Sequence, residues 1–306
     1  MRKLFQTVSI FMIVLSAFSC GVHEDQDSPE GYVRHCVRLM DREALYADTP
    51  EWKIKKKEVL SSARTVFSFD EAHTLVEEAA KVAGGKHSFL AKPVSDTASY
   101  KESAPTAELL EDRIVLITLR GHTGVIISDS LYIHTIFDFL QDHMDVDGVI
   151  VDFRRDTGGN MGPMIAAVSP LLPSGALFSF KSRKRTTPVQ LESILRTYGL
   201  SAEKIRKYPS SLPVAILSGE RTASAGELTL LCFIGLDNVK IFGNPSAGYV
   251  SGNAAFPLAD GYRLALTRSC SVARTGEVFS EDPIEPDVRT EIPLEDAVEW
   301  IRSSVE

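Results

Sequence analysis

Residues 213–233 read PVAILSGERTASAGELTLLCF, in which an apolar run of strand type passes through small residues into a run of helix formers. This pattern predicts a β-strand, a tight turn and an α-helix, with Ser224 at the turn. A serine in that place is suited to nucleophilic attack, because its hydroxyl lies at a helix N-terminus. The other interpretation is that Ser224 only caps the helix, since serine is a preferred N-cap residue.

The chain around this segment alternates between strand and helix patterns from residue 113 onward. The loop DTGGNMGPM (156–164) leads from one apolar run into a helix in the same way as the segment around Ser224. Strands are predicted at 114–119, 148–153, 213–217 and 239–242, a hairpin turn at Asp260-Gly261, and helices at 129–143 and around 294–301. Such alternation is typical of an α/β fold.

The region 28–90 has helical signals instead. Helix starts are predicted at Ser28-Pro29-Glu30, Thr49-Pro50-Glu51 and Ser68-Phe69-Asp70-Glu71. The third helix should stop at Gly84-Gly85, so that His87 follows a glycine-capped end and enters an extended segment. The polar residues 91–112 suggest a linker or an excursion between this helical region and the α/β core.

The N-terminus has the pattern of an export signal. Residues 1–20 comprise a basic start, an apolar stretch and small residues before Cys20. The last six of them resemble a bacterial lipoprotein box, which implies that Cys20 is lipidated and that residues 21–27 tether the folded part to the membrane. An uncleaved N-terminal membrane anchor is the main alternative. Both interpretations place the folded part outside the cytoplasm.

Charge and cysteine content narrow the classes of ligand. The 306 residues have a net charge of −8, which becomes −10 when residues 1–20, with Arg2 and Lys3, are removed. This charge repels nucleic acid and attracts cations, although it also fits an exported domain that is simply kept soluble. Cys36, Cys232 and Cys270 have no spacing typical of a disulfide framework or a metal site. The cysteines therefore indicate neither a disulfide framework nor a metal site.

A serine nucleophile needs a base, usually a histidine or a neutral lysine. Downstream of Ser224 the only lysine is Lys240, in a predicted strand. All seven histidines lie upstream, and those outside the tether and the predicted helices are His87, after a helix, and His122, after a strand. The chain pattern alone does not choose between these two.

Several motifs resemble the S41 serine peptidases, the family of tail-specific and tricorn-type proteases. They are KVAGGKHSF (81–89), VIVDFRRDTGGNMGPM (149–164), TASAGE (222–227), NPSAGY (244–249) and EDPIEPDV (281–288), and the similarity spans about residues 30–302. It implies a ClpP/crotonase-like core over 91–306, a small cap at about 176–210 and an N-terminal helical bundle over 28–90. No segment is recognisable as the PDZ domain that tail-specific proteases insert, since 91–112 is far too short for it.

The resemblance also implies the site residues. The family's serine falls on Ser224 and the histidine of its Ser-His members on His87, with no metal or cofactor. Tail-specific members carry a lysine base where this chain has Gly248-Tyr249, so histidine is the expected base.

The remaining site groups are implied in the same way. Oxyanion donors are expected from Ala225 and from Gly158 or Gly159. The acid that orients the histidine is left open between Glu281 and Glu227.

Within the family, the motifs are most similar to members that give Gram-positive bacteria resistance to nisin-like lantibiotics. The implied substrate is a cationic lanthionine peptide that is cleaved near its C-terminus by a monomeric serine endopeptidase held at the membrane. A general envelope tail-specific protease and a non-catalytic peptide-binding lipoprotein are the alternatives.

Overall fold

The computed structural model describes residues 26–93 and 103–305. The predicted signal segment, the lipidation site Cys20 and most of the predicted tether lie outside these ranges. The strands are β1 (Phe89–Ala91), β2 (Thr106–Leu109), β3 (Ile114–Thr118), β4 (Gly148–Asp152), β5 (Ala176–Ser182), β6 (Thr186–Gln190), β7 (Val214–Ser218), β8 (Val239–Gly243), β9 (Ser251–Pro257), β10 (Arg263–Ala273), β11 (Val278–Phe279) and β12 (Val288–Arg289). The α-helices are α1 (Pro29–Glu43), α2 (Pro50–Ser62), α3 (Phe69–Gly84), α4 (Asp129–Asp142), α5 (Met161–Ala167), α6 (Leu191–Thr197), α7 (Ala225–Leu231) and α8 (Pro293–Val305).

The N-terminal helices begin where the capping signals predict. The side chains of Ser28, Thr49 and Ser68 accept hydrogen bonds from the first turns of α1, α2 and α3. Apolar side chains of these helices share one buried cluster with Leu264 and Leu266 of β10. The helical region is therefore packed against the rest of the fold through a common core.

One sheet has the order β12-β8-β7-β4-β3-β2. Its strands are parallel except for β2, which pairs antiparallel with β3. Strands β4 and β7 are buried along their whole length because α8 covers one face and α4, α5 and α7 cover the other. Parallel strands buried on both faces explain the continuous apolar runs at these positions.

The second sheet is organised around the long strand β10. Its residues 263–265 pair with both β1 and β9, and residues 269–270 pair with both β9 and β5. Strands β1 and β5 therefore follow one another along the same side of β10. The register shifts between Thr267 and Ser269, which is a β-bulge at Arg268.

One of two further segments differs from its sequence interpretation. The linker predicted over 91–112 contains β2, which extends the parallel sheet by an antiparallel edge strand, so that interpretation is wrong for residues 106–109. The excursion at about 176–210 contains the hairpin β5–β6 and the short helix α6. Strand β5 belongs to the second sheet, so this excursion extends that sheet.

Candidate active site

Ser224 lies at the turn between β7 and α7, as the sequence pattern predicts. Its backbone has φ 53° and ψ −115°, and it is one of two non-glycine residues with positive φ in the described ranges. An ordinary N-cap has extended backbone, as Ser28 does with φ −114° and ψ 147°. A capping role does not require the strained conformation of Ser224, whereas a sharp strand-to-helix turn that presents a nucleophile does.

His87 follows the end of α3 and precedes β1. Gly85 ends the helix with φ 79°, a left-handed conformation that glycine adopts without strain. The His87 ring is fixed by Ser251, whose Oγ lies 2.8 Å from Nδ1, and the main-chain carbonyl accepts a hydrogen bond from the Asn253 amide at 2.7 Å. The ring of Tyr249 packs edge-on against the imidazole at 5.0 Å.

The environment of His87 favours the neutral imidazole. Burial, and in second place the charge of Lys86, lower the pKa of His87 from 6.5 to about 4. A neutral ring can accept a proton at pH 7. With Nδ1–H donated to Ser251, Nε2 is the nitrogen that is left to act as an acceptor.

The two predicted dyad residues lie in one cleft of about 400 Å³. Its other lining residues are Phe89, Gly159, Met161, Phe180, Ser182, Arg185, Thr187, Ala225, Leu228, Ser251, Gly252, Asn253, Ala254, Ala265, Arg268 and Ser269. The hydroxyl of Ser224 and the ring of His87 are not hydrogen bonded to each other. Catalytic hydrogen bonds are often long before substrate binds, so this geometry is compatible with a dyad.

The candidate oxyanion donors surround Ser224. The N–H of Gly158 donates to Asp156 Oδ1 at 3.0 Å, so this donor is already used. The N–H groups of Gly159 and Ala225 have no acceptor in the described ranges, and both residues line the cleft. A Cβ at Gly158 would lie 2.8 Å from the Ser224 Cβ and 3.1 Å from the Ala225 nitrogen. The glycine loop thus lies directly against the serine turn.

Neither of the two candidate acids contacts His87. Glu227 is fully buried, and its carboxylate accepts from the N–H groups of Ser224, Gly248 and Tyr249 and from the Ser246 hydroxyl. Burial is the largest influence on this carboxyl and raises its pKa above the ordinary value, against the hydrogen bonds. Glu281 accepts from the N–H of Lys86 at 2.6 Å.

His122, the other histidine that the chain pattern left open, is outside the cleft lining. Its side chain is fully buried, and Nε2 lies 2.7 Å from Asp129. Its main chain pairs with the glycine loop, because its N–H donates to the Gly158 carbonyl and its carbonyl accepts from Asn160. The structure places His87 in the same cleft as Ser224, whereas His122 supports the glycine loop through its main chain.

Sequence reasoning missed three residues of the site. Ser251 and Asn253 hold His87 from β9, 164 and 166 residues away along the chain, and no local pattern links them. Asp156 lies fully buried under the serine turn, where burial raises its pKa to about 7 and its main-chain carbonyl accepts from Ala223. The sequence signal for Asp156 was its position in the DTGGN loop.

Two further properties follow from the parts of the chain that the structure describes. There, no group of three or more His, Cys, Asp and Glu side chains is arranged to hold a metal ion. None of the helices within 26–93 and 103–305 is both long and apolar enough to cross a membrane.

Comparison with known proteins identifies the class to which this fold and cleft correspond. Residues 128–290 match the description "Peptidase family S41", and a curated relative is 35% identical over 96% of this chain, so the chain belongs to peptidase family S41. That relative is the "Nisin-resistance protein" of Lactococcus lactis subsp. lactis, of which the match covers 93%.

Solved structures agree with the family. One titled as a lipoprotein from Streptococcus agalactiae is 32% identical, with a TM-score of 0.79, and the match covers 90% of this chain and 96% of that one. The photosystem II D1 C-terminal processing protease shares the fold at 11% identity and a TM-score of 0.62, over 91% and 98% of the two chains.

Proposed function

We propose that this protein is a serine endopeptidase that cleaves nisin-like lantibiotics near their C-terminus and thereby protects the cell that exports it. The observation that carries the proposal is that Ser224, on a strained turn, and His87, with a neutral ring, line the same cleft. The similarity to a nisin-resistance protein over nearly the whole chain supports the choice of substrate.

In the proposed reaction, His87 Nε2 takes the proton of Ser224 as Oγ attacks the peptide carbonyl. Ser251 keeps the other nitrogen protonated and the ring in place, the role that a carboxylate has in a Ser-His-Asp triad. The oxyanion is stabilised by the N–H groups of Gly159 and Ala225. His87 then gives its proton to the leaving amine, and a water molecule activated in the same way releases the acyl group.

The place of action belongs to the proposal as well. An export signal over residues 1–20 with Cys20 as the lipid attachment site would hold the enzyme on the outer side of the cell membrane, where cationic peptides arrive. The net charge of −10 that remains after removal of residues 1–20, with Arg2 and Lys3, would favour their approach.

The test is nisin tolerance of a sensitive bacterium that expresses the full chain, the Ser224→Ala variant or the His87→Ala variant at equal levels. Because the reaction needs both groups, we expect tolerance only with the wild-type chain. Equal protection by Ser224→Ala would show that the protein sequesters the peptide without cleaving it. Absence of protection by the wild-type chain would contradict the assigned substrate.

A further inference from the structure

The charge of the cleft is opposite to that of the molecule. The chain has a net charge of −8, yet no aspartate or glutamate is among the residues that line the cleft. Apart from His87, whose pKa is about 4, the ionisable side chains in that lining are Arg185 and Arg268. The cleft is therefore adapted to an anionic group, although the whole molecule attracts cations.

Arg185 is held at the cleft by the geometry of the β5–β6 hairpin. Its carbonyl accepts from the N–H of Ser182 at 2.9 Å, and its own N–H donates to the Ser182 hydroxyl at 3.1 Å. Arg183, at the tip, bonds Asp48 and the carbonyls of Asp41 and Arg42, so the hairpin is fastened to the end of α1. The guanidinium of Arg185 has no ion-pair partner in the described residues.

Arg268 lines the cleft from β10, next to Ser269, which pairs with Ser182 of the hairpin. It lies at the bulge, where the extra residue leaves the regular pairing and its side chain is redirected. One nitrogen lies 2.6 Å from Glu43, whose other oxygen is bonded to Arg42. A single carboxylate is thus shared by two guanidinium groups, and Arg268 makes no second ion pair within the described residues.

We infer that Arg185 and Arg268 form a carboxylate-binding subsite that captures the C-terminal carboxylate of the peptide. The inference rests on the proposed function, and it adds a determinant of where the chain is cut. Guanidinium groups bind carboxylates through charge-assisted and often paired hydrogen bonds. Every linear peptide with a free C-terminus presents this group, even when its side chains are cationic.

The subsite lies close to the reacting residues. The N–H of Thr267, beside Arg268, donates to the hydroxyl of Ser88, beside His87, at 2.9 Å. Because the arginines, His87 and Ser224 line one cleft of about 400 Å³, a carboxylate held at the arginines leaves room for only a short tail before Ser224. Capture of the terminus would select a bond near the end of the peptide without any separate tail-binding domain.

The experiment uses a linear peptide that copies the C-terminal part of nisin, prepared as the free acid, as the C-terminal amide, and as an amide that ends in aspartate. Hydrolysis by the purified full chain gives kcat/KM for each. We expect the free acid to be preferred over both amides by about 10- to 100-fold, the value of a hydrogen bond to a charged group. The Arg185→Gln variant should lose this preference by slowing hydrolysis of the free acid alone.

Lys184→Gln is the matched control, because it removes the same charge from the same turn outside the cleft lining and should leave the preference unchanged. Arg268→Gln should act as Arg185→Gln does, provided that its circular dichroism and melting temperature remain those of the wild-type chain. Equal cleavage of acid and amide by the wild-type chain would overturn the subsite. If the aspartyl amide were preferred as strongly as the free acid, and if this preference depended on the arginines, the subsite would bind acidic side chains. That result would overturn capture of the C-terminus.

Binding of the same labelled peptides to Ser224→Ala, followed by fluorescence anisotropy, separates this inference from the proposed function. An arginine-dependent preference for the free acid in binding, without hydrolysis by the wild-type chain, would refute the peptidase and retain the subsite. Hydrolysis with equal binding of acid and amide would refute the subsite and retain the peptidase.

Discussion

His87 and His122 differ in what surrounds them, and the difference separates a reactive group from a supporting one. His87 is partly exposed in the cleft, whereas His122 is fully buried and contacts Asp129 and Tyr132. Truncating His87 removes the base, and truncating His122 removes a buried contact beneath the glycine loop.

We expect His87→Ala to abolish peptide hydrolysis while the chain stays folded, with the free energy of unfolding lowered by about 1 kcal/mol because the hydrogen bond to Ser251 is lost. His122→Ala should lower the free energy of unfolding by about 2 kcal/mol, because the buried ring loses its hydrogen bond to Asp129 and its packing on Tyr132, and should retain hydrolysis at low temperature. Urea unfolding and a peptide cleavage assay measure the two effects. An active His87→Ala with an inactive but folded His122→Ala would reverse the assignment.

The pH dependence of hydrolysis should report the His87 environment. The reaction needs the neutral ring, so activity is lost as pH falls through the pKa of about 4, well below the ordinary 6.5. Replacing Lys86 with methionine removes the charge that contributes to this depression. The acidic limb of kcat/KM in Lys86→Met should therefore move to higher pH, but remain below 6.5 because burial persists.

Lys81→Met is the control for this shift, since Lys81 lies on exposed α3 surface near Glu77 and should not move the limb. A limb near 6.5 in the wild-type chain that Lys86→Met leaves unchanged would contradict the assignment to a buried His87. A limb near 7 that disappears in Asp156→Asn would assign it to the Asp156 carboxyl, whose pKa burial raises to about 7.

Among single residues, the sequence could identify those whose signal is local. Ser224 is marked by the strand, turn and helix on either side of it, and its place at the start of α7 is confirmed. The chain pattern reduced the candidate bases to His87 and His122, and only the resemblance to the S41 peptidases selected His87. Ser251 could not be found, because its contact with His87 depends on the pairing of β9 with β10 and of β10 with β1.

At the scale of elements, the glycine loop and the serine turn act as one unit. Gly158 has φ 97°, and a Cβ there would press on Ser224 and Ala225. Gly158→Ala should lower kcat by about 100-fold, because displacement of the reacting groups by about 1 Å is enough for such a loss. Gly175→Ala is the control, since its φ is 87° but no atom lies within 4 Å of the added Cβ.

Steady-state kinetics and urea unfolding of the two glycine variants test this coupling. The left-handed backbone should lower the free energy of unfolding of both variants by about 1 kcal/mol, whereas only Gly158→Ala should also lose activity. If the two variants have equal kcat, the loop does not position the serine turn.

Helix α7 is fastened to the loop at 246–249 by the carboxylate of Glu227. Glu227→Gln replaces one acceptor oxygen by an NH₂ group, which opposes the donors that now point at it. We expect the free energy of unfolding to fall by about 2–4 kcal/mol and kcat to fall as well. Glu281→Gln should have a smaller effect on stability, since Glu281 lies at the surface and its amide variant keeps an acceptor for the Lys86 N–H.

Both carboxylate variants are measured by denaturant unfolding and by cleavage of a peptide. A stable, active Glu227→Gln would contradict a positioning role for Glu227. A loss of kcat in Glu281→Gln accompanied by a change in the His87 pH limb would instead make Glu281 the acid that acts on the histidine.

The elements that the sequence predicts well are those with strong boundary signals. The three N-terminal helices start at Ser28, Thr49 and Ser68 because each side chain caps its own helix. Strand β2 was missed because it is a short, mostly exposed edge strand whose pairing with β3 supplies its order. The attachment of the β5–β6 hairpin to the second sheet depends on β10, 89 residues further along at the pair Lys181 and Cys270, which no local pattern contains.

At the scale of the whole molecule, the net negative charge of the protein contrasts with the two arginines that line the cleft. A negative surface field would draw cationic peptides towards the protein, and the two cleft arginines would then act on the anionic end of the peptide. The N-terminal helices take part in this arrangement, because Glu43 contacts Arg268 and Asp48 contacts Arg183. The helical region thus helps to build the cleft as well as packing against the core.

The most direct test of the account is the mass of nisin after incubation with the purified full chain and with its Ser224→Ala variant. The account predicts that the wild-type chain converts nisin into a species lacking a short C-terminal fragment, while Ser224→Ala leaves the mass unchanged. An unchanged mass with the wild-type chain, or the same fragment released by Ser224→Ala, would contradict the claim that Ser224 cleaves a nisin-like peptide near its end.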